Sequence, residues 1–175
     1  DIDGRQTKVG GYTADGIETG EVELIYNEKG ELIQWADYNG SGILELVKGE
    51  LDTNGNVVKE IYYSLNGDFI HEITFMYDEN GNRIKQTYDN KLFPIASYEY
   101  EYDEKGYLIK LSSYSGDELT VYSVMENDAN GYCVREDQYY SDGSLYTYSI
   151  YERDADGTII SSKSYEPDGT PIEPN

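Results

Sequence analysis

The sequence predicts an all-β protein, an antiparallel meander of about thirteen strands built from hairpin repeats of 25–26 residues, in an open or coiled sheet. Three observations carry this. Glycine returns at Gly4, Gly30, Gly55, Gly81, Gly106, Gly131 and Gly157, always 25 or 26 residues apart, which marks a repeat array. A second glycine (Gly16, Gly40, Gly67, Gly116, Gly143 or Gly169) falls about twelve residues after most of these. Each repeat therefore holds two turns and two strands, and the turns arrive too often for a helix of ordinary length. Tyr occurs 20 times in 175 residues while Ala, Leu and Met are scarce, a composition suited to pleated strands.

The elements follow in order. Asp1-Ile2-Asp3-Gly4 is already a turn of the repeat, so a further strand is expected upstream, preceded by a leader or lipid anchor. Arg5–Tyr12 is the first strand, turned back at Gly16. The tight turns that follow are Asn27-Glu28-Lys29-Gly30, Asp52-Thr53-Asn54-Gly55, Asp78-Glu79-Asn80-Gly81, Asp103-Glu104-Lys105-Gly106, Asp128-Ala129-Asn130-Gly131 and Asp154-Ala155-Asp156-Gly157. In each, the first side chain can accept turn amides and the glycine can take the left-handed conformation of a bulge after a type I turn. Such short connections permit only antiparallel neighbours. Asp89-Asn90-Lys91-Leu92-Phe93-Pro94 lacks the second glycine, and its proline cannot donate to a ladder, so a longer loop is expected there. The last strand is Thr158–Tyr165. No composition shift marks a linker, and residues 1–175 are read as one domain. Lys8 with Gly10–Gly11 at one end, and Lys163 with Pro167 at the other, would blunt the sheet edges.

Pairing outward from the tight turns sets Tyr26, Leu51, Tyr77 and Tyr102 beside Leu32, Val57, Arg83 and Leu108, with Val22, Val47, Ile73 and Tyr98 farther along the same face. Ile33, Val58, Ile84, Ile109, Val134 and Ile160 form a β-branched column on the opposite face, and Trp35 falls on that second parity as a satellite core residue. Near the C-terminus the apolar parity changes, which predicts a bulge.

Charge narrows function. With 35 acidic against 13 basic residues, the net charge of -22 disfavours nucleic acid and anionic membranes, whose binding rests on Lys and Arg. No run of 18 apolar residues exists, so this segment is not expected to insert in a bilayer. Cys133 is alone, at the position where other repeats carry Leu32, Val57, Leu108 and Ile159, and reads as apolar filler. His71 is the only histidine and continues a strand pattern, which argues for a structural role over a nucleophilic triad. No motif implies a cofactor, and the chain reads as non-enzymatic, since a carboxylate pair would need a cleft to converge in.

Asp128, Asn130, Asp154 and Asp156 resemble the opening of a calcium loop, but the distal ligands of such a loop are missing and turn chemistry accounts for them. Tyrosines make the better binding candidates. Tyr12, Tyr38, Tyr63, Tyr114, Tyr139 and Tyr165 each lie eight residues after a repeat glycine, so they should line one rim. Tyr38, Tyr63, Tyr114 and Tyr139 are the candidate stacking ladder for a sugar or a partner protein; the competing reading is cross-strand packing of a thin sheet.

Tyr77-Asp78-Glu79-Asn80-Gly81-Asn82 and Tyr102-Asp103-Glu104-Lys105-Gly106-Tyr107, each followed by Ile84 or by Leu108 and Ile109, resemble the motif of YD repeats. That resemblance implies a spiral β-sheet of the kind found in Rhs-type surface and toxin-encapsulating proteins. The hairpin rhythm is also similar to MORN-type repeats, which serve as binding or scaffold modules. The period is longer than a usual YD repeat, and Leu51, Asn127 and Arg153 stand where the motif has tyrosine. The resemblance implies no catalytic residue. The function expected is a secreted or cell-surface module that binds protein or glycan, or a spacer; the alternative is a cytoplasmic module that binds and neutralises a partner protein.

Overall fold

The computed structural model describes residues 4–13, 15–16, 18–39 and 42–173, without the side chains of 18–21, 37–39 and 42–44. The elements are β1 (Lys8–Tyr12), β2 (Glu18–Glu23), β3 (Ile25–Tyr26), β4 (Leu32–Asn39), β5 (Gly42–Leu51), β6 (Val57–Ser64), β7 (Phe69–Tyr77), β8 (Arg83–Asp89), β9 (Ala96–Tyr102), β10 (Leu108–Ser115), β11 (Glu118–Asn127), β12 (Cys133–Tyr140), β13 (Leu145–Arg153), β14 (Ile159–Tyr165) and β15 (Pro171–Ile172). All are strands. β3 to β15 pair in chain order as a 13-stranded antiparallel meander that does not close, and β1 pairs with β2 as a separate ribbon.

The tight turn closes through its first residue. Oδ1 of Asp78 accepts the amides of Asn80 and Asn82 at 2.9 and 2.8 Å, and Nδ2 of Asn82 donates to the other carboxylate oxygen at 2.9 Å. The Gly81 amide donates to the Asp78 carbonyl at 3.1 Å, with Gly81 at φ 82. Asp52, Asp103, Asp128 and Asp154 accept the corresponding amides in their own turns.

Wherever the register beside a tight turn is defined, the pairing slips by one residue next to that turn. Tyr26 pairs with Leu32 but Ile25 with Gln34; Leu51 pairs with Val57 but Glu50 with Lys59; Tyr102 pairs with Leu108 but Glu101 with Lys110. The extra residues are Ile33, Val58 and Ile109, and the same slip later absorbs Val134 and Ile160. The β-branched column is thus a column of bulge residues, and bulges recur along the array instead of arising only near the C-terminus. The slip also corrects the placement of Trp35, which pairs directly with Val47 because one extra residue inverts the parity of β4.

Consecutive repeats are joined by two side-chain devices of fixed register. At four junctions the residue four before a turn glycine donates to the carbonyl two after the previous one, a bond that Leu51 has no group to make: Tyr26 Oη to Gln6 at 2.8 Å and Tyr102 Oη to Arg83 at 2.9 Å. Asn127 Nδ2 to Leu108 at 2.8 Å and Arg153 Nε to Cys133 at 3.2 Å make the same bond. Asn127 and Arg153 therefore keep the donor of the motif's tyrosine while changing its identity. In the second device, at four junctions, the residue after one turn glycine covers the next, whereas Gly81 and Gly106 have nothing within 4 Å of where a Cβ would stand. Arg5 lies over Gly30, Glu31 over Gly55, Tyr107 over Gly131 and Tyr132 over Gly157, each where a Cβ would stand.

The chain divides into two compact units, Asp1–Met76 with Thr87–Ile95, and Tyr77–Gln86 with Ala96–Asn175. In the first, the β1–β2 ribbon lies on β4 and β5. Val47 of β5 is 0% exposed, Val22 of β2 is buried, and the Trp35 indole lies 2.8 Å from where a Cβ on Gly49 would be. Lys8 and Gly10–Gly11 therefore do not blunt an edge of the large sheet: Gly11 is buried, and a bulge between Gly11 and Tyr12 bends the ribbon. The edges are β3 and β15. In the second unit the buried side chains among the described residues are those of Ser97 and Ser112, and no aliphatic side chain there reaches the burial of Val47. Its apolar contacts come from half-buried aliphatic side chains such as Leu108, Ile109 and Leu111 together with half-buried tyrosines.

Gly81 has open space where a methyl would stand, so Gly81→Ala should cost roughly 1 kcal/mol from the left-handed backbone alone. Gly131→Ala and Gly157→Ala must also displace a tyrosine ring, and denaturant melts should show a larger loss for both. Asn127→Ala should cost about 1 kcal/mol through the lost hydrogen bond, and Asn127→Tyr should recover most of it by the same assay. Equal stability of Asn127→Ala and the parent would remove the bond's structural role.

Candidate functional site: the tyrosine rim

Tyr12, Tyr38, Tyr63, Tyr114 and Tyr139 each stand where the register slips at the second turn: Tyr38 pairs with Ile43 while Asp37 pairs with Glu45, and Tyr63 pairs with Phe69 while Tyr62 pairs with His71. The rim tyrosine is the residue set against the bulge of the following strand. The side chain of Tyr38 lies outside the described residues.

In the first unit, Tyr12 is exposed, and Tyr63 is half-buried with Lys48 Nζ 5.2 Å from its ring centre. His71 is held between Tyr62, stacked at 4.1 Å, and Tyr88 at 4.8 Å. That ring sandwich is a packing role with no nucleophile in it.

In the second unit the rim is organised as cation, tyrosine, tyrosine. Lys110 Nζ lies 5.7 Å from the Tyr122 ring, which stacks on Tyr139 at 5.0 Å and 13°. One repeat later the Arg135 guanidinium lies 4.4 Å from the Tyr148 ring, which stacks on Tyr165 at 4.9 Å and 14°. Tyr114 is half-buried. Bonding from Lys85 Nζ at 2.8 Å, with a smaller contribution from Tyr114, holds the Glu99 carboxyl below the usual range. Each of Tyr139 and Tyr165 thus has one ring face covered by a partner.

Repeat spacing points to the rim but not to Tyr140 and Tyr146. These two rings meet at 5.0 Å and 53°, and are 47% and 46% exposed. Tyr140 pairs with Val121, itself exposed, and Tyr146 is the extra residue of the bulge after Leu145. The signal that could have found Tyr146 is local: three residues past Gly143 it occupies a bulge, whose side chain escapes the alternation. Beside them the Asp142 carboxyl is held below its usual range by the Ser144 hydroxyl and amide, at 2.6 and 2.9 Å.

The calcium-like residues are used by their own turns. Asp128 Oδ1 accepts the amides of Asn130 and Tyr132 at 2.9 and 3.0 Å, and Asp154 Oδ1 those of Asp156 and Thr158 at 3.0 and 2.9 Å. Among the described residues no group of three or more His, Cys, Asp or Glu side chains is placed to hold a metal. Cys133 pairs with Asn127 as Leu32 pairs with Tyr26, and burial with nearby Glu136 pushes its thiol up. Among the described residues no helix is long and apolar enough to cross a membrane.

No family model and no curated protein matches the chain. Solved structures to which it is similar include the Photorhabdus luminescens Tc holotoxin pore carrying a TccC3 mutation, at 11% identity over 86% of this chain and 9% of that one, with a TM-score of 0.45. Another is TcdB2-TccC3, at 17% identity over 93% of this chain and 11% of that one, with a TM-score of 0.48. The chain spans only 9% and 11% of the length of these neighbours, and the likeness assigns it to no family. Its own strand pairing makes it a β-hairpin repeat array.

Tyr122 and Tyr139 should be energetically coupled. A double-mutant cycle of Tyr122→Ala and Tyr139→Ala in denaturant melts should return about 0.5–1.5 kcal/mol of interaction energy. Additive losses would mean that the stack contributes only its burial.

Proposed function

We propose that this chain is a non-catalytic, secreted or surface-exposed β-repeat module that binds a protein with a basic surface. The observation that supports it best is the exposed pair Tyr140 and Tyr146 beside Val121, at the turn that carries Asp142. Tyrosines are over-represented at interface hot spots because a rigid amphipathic ring contributes large contact at low entropic cost. The net charge of -22 would steer a basic partner and repel an acidic one. A sugar-stacking ladder draws less support, since Tyr139 and Tyr165 each commit a ring face to another tyrosine.

The test is affinity capture from the source cell with the parent chain and with Tyr140→Ser/Tyr146→Ser, alongside a glycan array. A captured basic protein, lost with the variant and weakened by salt while the melting temperature holds, is the expected result. Retention of a glycan by the parent, lost with the variant, would replace the protein reading. No ligand on either arm would leave the module a spacer.

A further inference from the structure

The loop after β8 breaks the repeat, and it breaks it with apolar residues turned to solvent. Leu92 is 82% and Phe93 72% exposed, with Ile95 exposed as well. Phe69 and Leu65 of the β6–β7 hairpin are also exposed, and Lys91 Nζ lies 5.7 Å from the Phe69 ring centre, which ties the loop to that hairpin within the first unit. Large aliphatic and aromatic side chains presented together in so acidic a chain are atypical of a surface that meets only water.

The loop is also pre-shaped. Lys91, at φ 63, is the non-glycine residue with positive φ among those described. That conformation is held from both sides: Asp89 accepts the Lys91 amide at 2.8 Å and its ammonium at 2.9 Å, and Asn90 Oδ1 accepts the amides of Leu92 and Phe93 at 3.0 Å each. Pro94 restricts the next backbone angle. A left-handed residue held by its neighbours' side chains, with apolar side chains beside it, makes a loop whose shape is fixed in advance. Because its order exists before binding, little conformational entropy remains to be lost on contact.

We propose that Leu92, Phe93 and Ile95, with Phe69 and Leu65, form an anchor that inserts into an apolar groove flanked by Lys or Arg on a partner protein. Charge selects this occupant. Lys91 is committed to Asp89, and Lys59 to Glu72 at 3.1 Å, so exposed Asp68 and the chain's overall charge leave the surroundings acidic. A second copy, also at -22, would be repelled, and so would an anionic bilayer. The inference rests on the protein-binding reading above and adds a second contact to it, on residues distinct from Tyr140 and Tyr146.

The experiment uses the full chain and a phage-displayed random peptide library, selected on the parent and screened against Leu92→Ser/Phe93→Ser. The exposed side chains make that variant expected to melt with the parent, and Phe93→Ala serves as a milder second variant. Expected are peptides combining aromatic or aliphatic residues with Lys or Arg. They should bind the parent at least about 10-fold more tightly than either variant, weaken with salt, and bind Tyr140→Ser/Tyr146→Ser as they bind the parent. Peptides without basic residues, or equal binding to the loop variants, would overturn the proposal while leaving the Tyr140 site untouched. Phe93-dependent flotation with phosphatidylcholine vesicles, or Phe93-dependent self-association in sedimentation, would overturn it in favour of a membrane or a second copy.

Discussion

A carbonyl two residues past a turn glycine, and a donor sent back to it from the following repeat, make the bond that ties four of the repeats to their predecessors. A thin sheet joined only by its backbone ladder would twist and slip, because strand pairing alone specifies register poorly when neither face is deeply buried. The bond from Tyr26, Tyr102, Asn127 or Arg153 fixes a repeat to its predecessor at one point. That the donor changes from phenol to amide to guanidinium, with the acceptor position unchanged, shows that the constraint is geometric and the side chain merely has to reach.

The bulges follow from the same geometry. A left-handed glycine ends a type I turn with one residue more on one strand than on the other, and the surplus is Ile33, Val58, Ile109, Val134 or Ile160. A β-branched side chain is stiff and fills the widened gap without needing a partner. Rings then do what aliphatic cores do elsewhere. In the second unit the stacked pairs Tyr122 with Tyr139 and Tyr148 with Tyr165, capped by Lys110 and Arg135, supply contact area that a one-layer sheet cannot obtain by burying leucine. The first unit solves the problem differently, by laying the β1–β2 ribbon on β4 and β5, where Val47 is buried.

The two surfaces proposed for binding are built from exposed side chains. Tyr146 is a bulge residue that escapes alternation, and Leu92 and Phe93 occupy the one connection that lacks its turn glycine. Tyr139, by contrast, is part of the repeat and is half-covered for that reason.

Turn chemistry was legible from residues in isolation: Asp78 and Gly81 define their hairpin through bonds spanning four residues, so a local sequence is enough to predict strands, turns, antiparallel order and the irregular loop after Asp89. The role of Cys133 was legible too, because a repeat lets one position be read from its equivalents. What the sequence alone could not decide was parity. A single extra residue inverts every side chain beyond it, so Trp35 meets Val47 only because of the slip at Ile33. Nor could it show that Tyr107 and Tyr132 cover the next turn's glycine, or that Tyr140 and Tyr146 stay open while Tyr139 does not. Those outcomes depend on contacts 24 or 25 residues apart, or on which of two adjacent rings a bulge turns outward, and only the assembled strands bring those groups together.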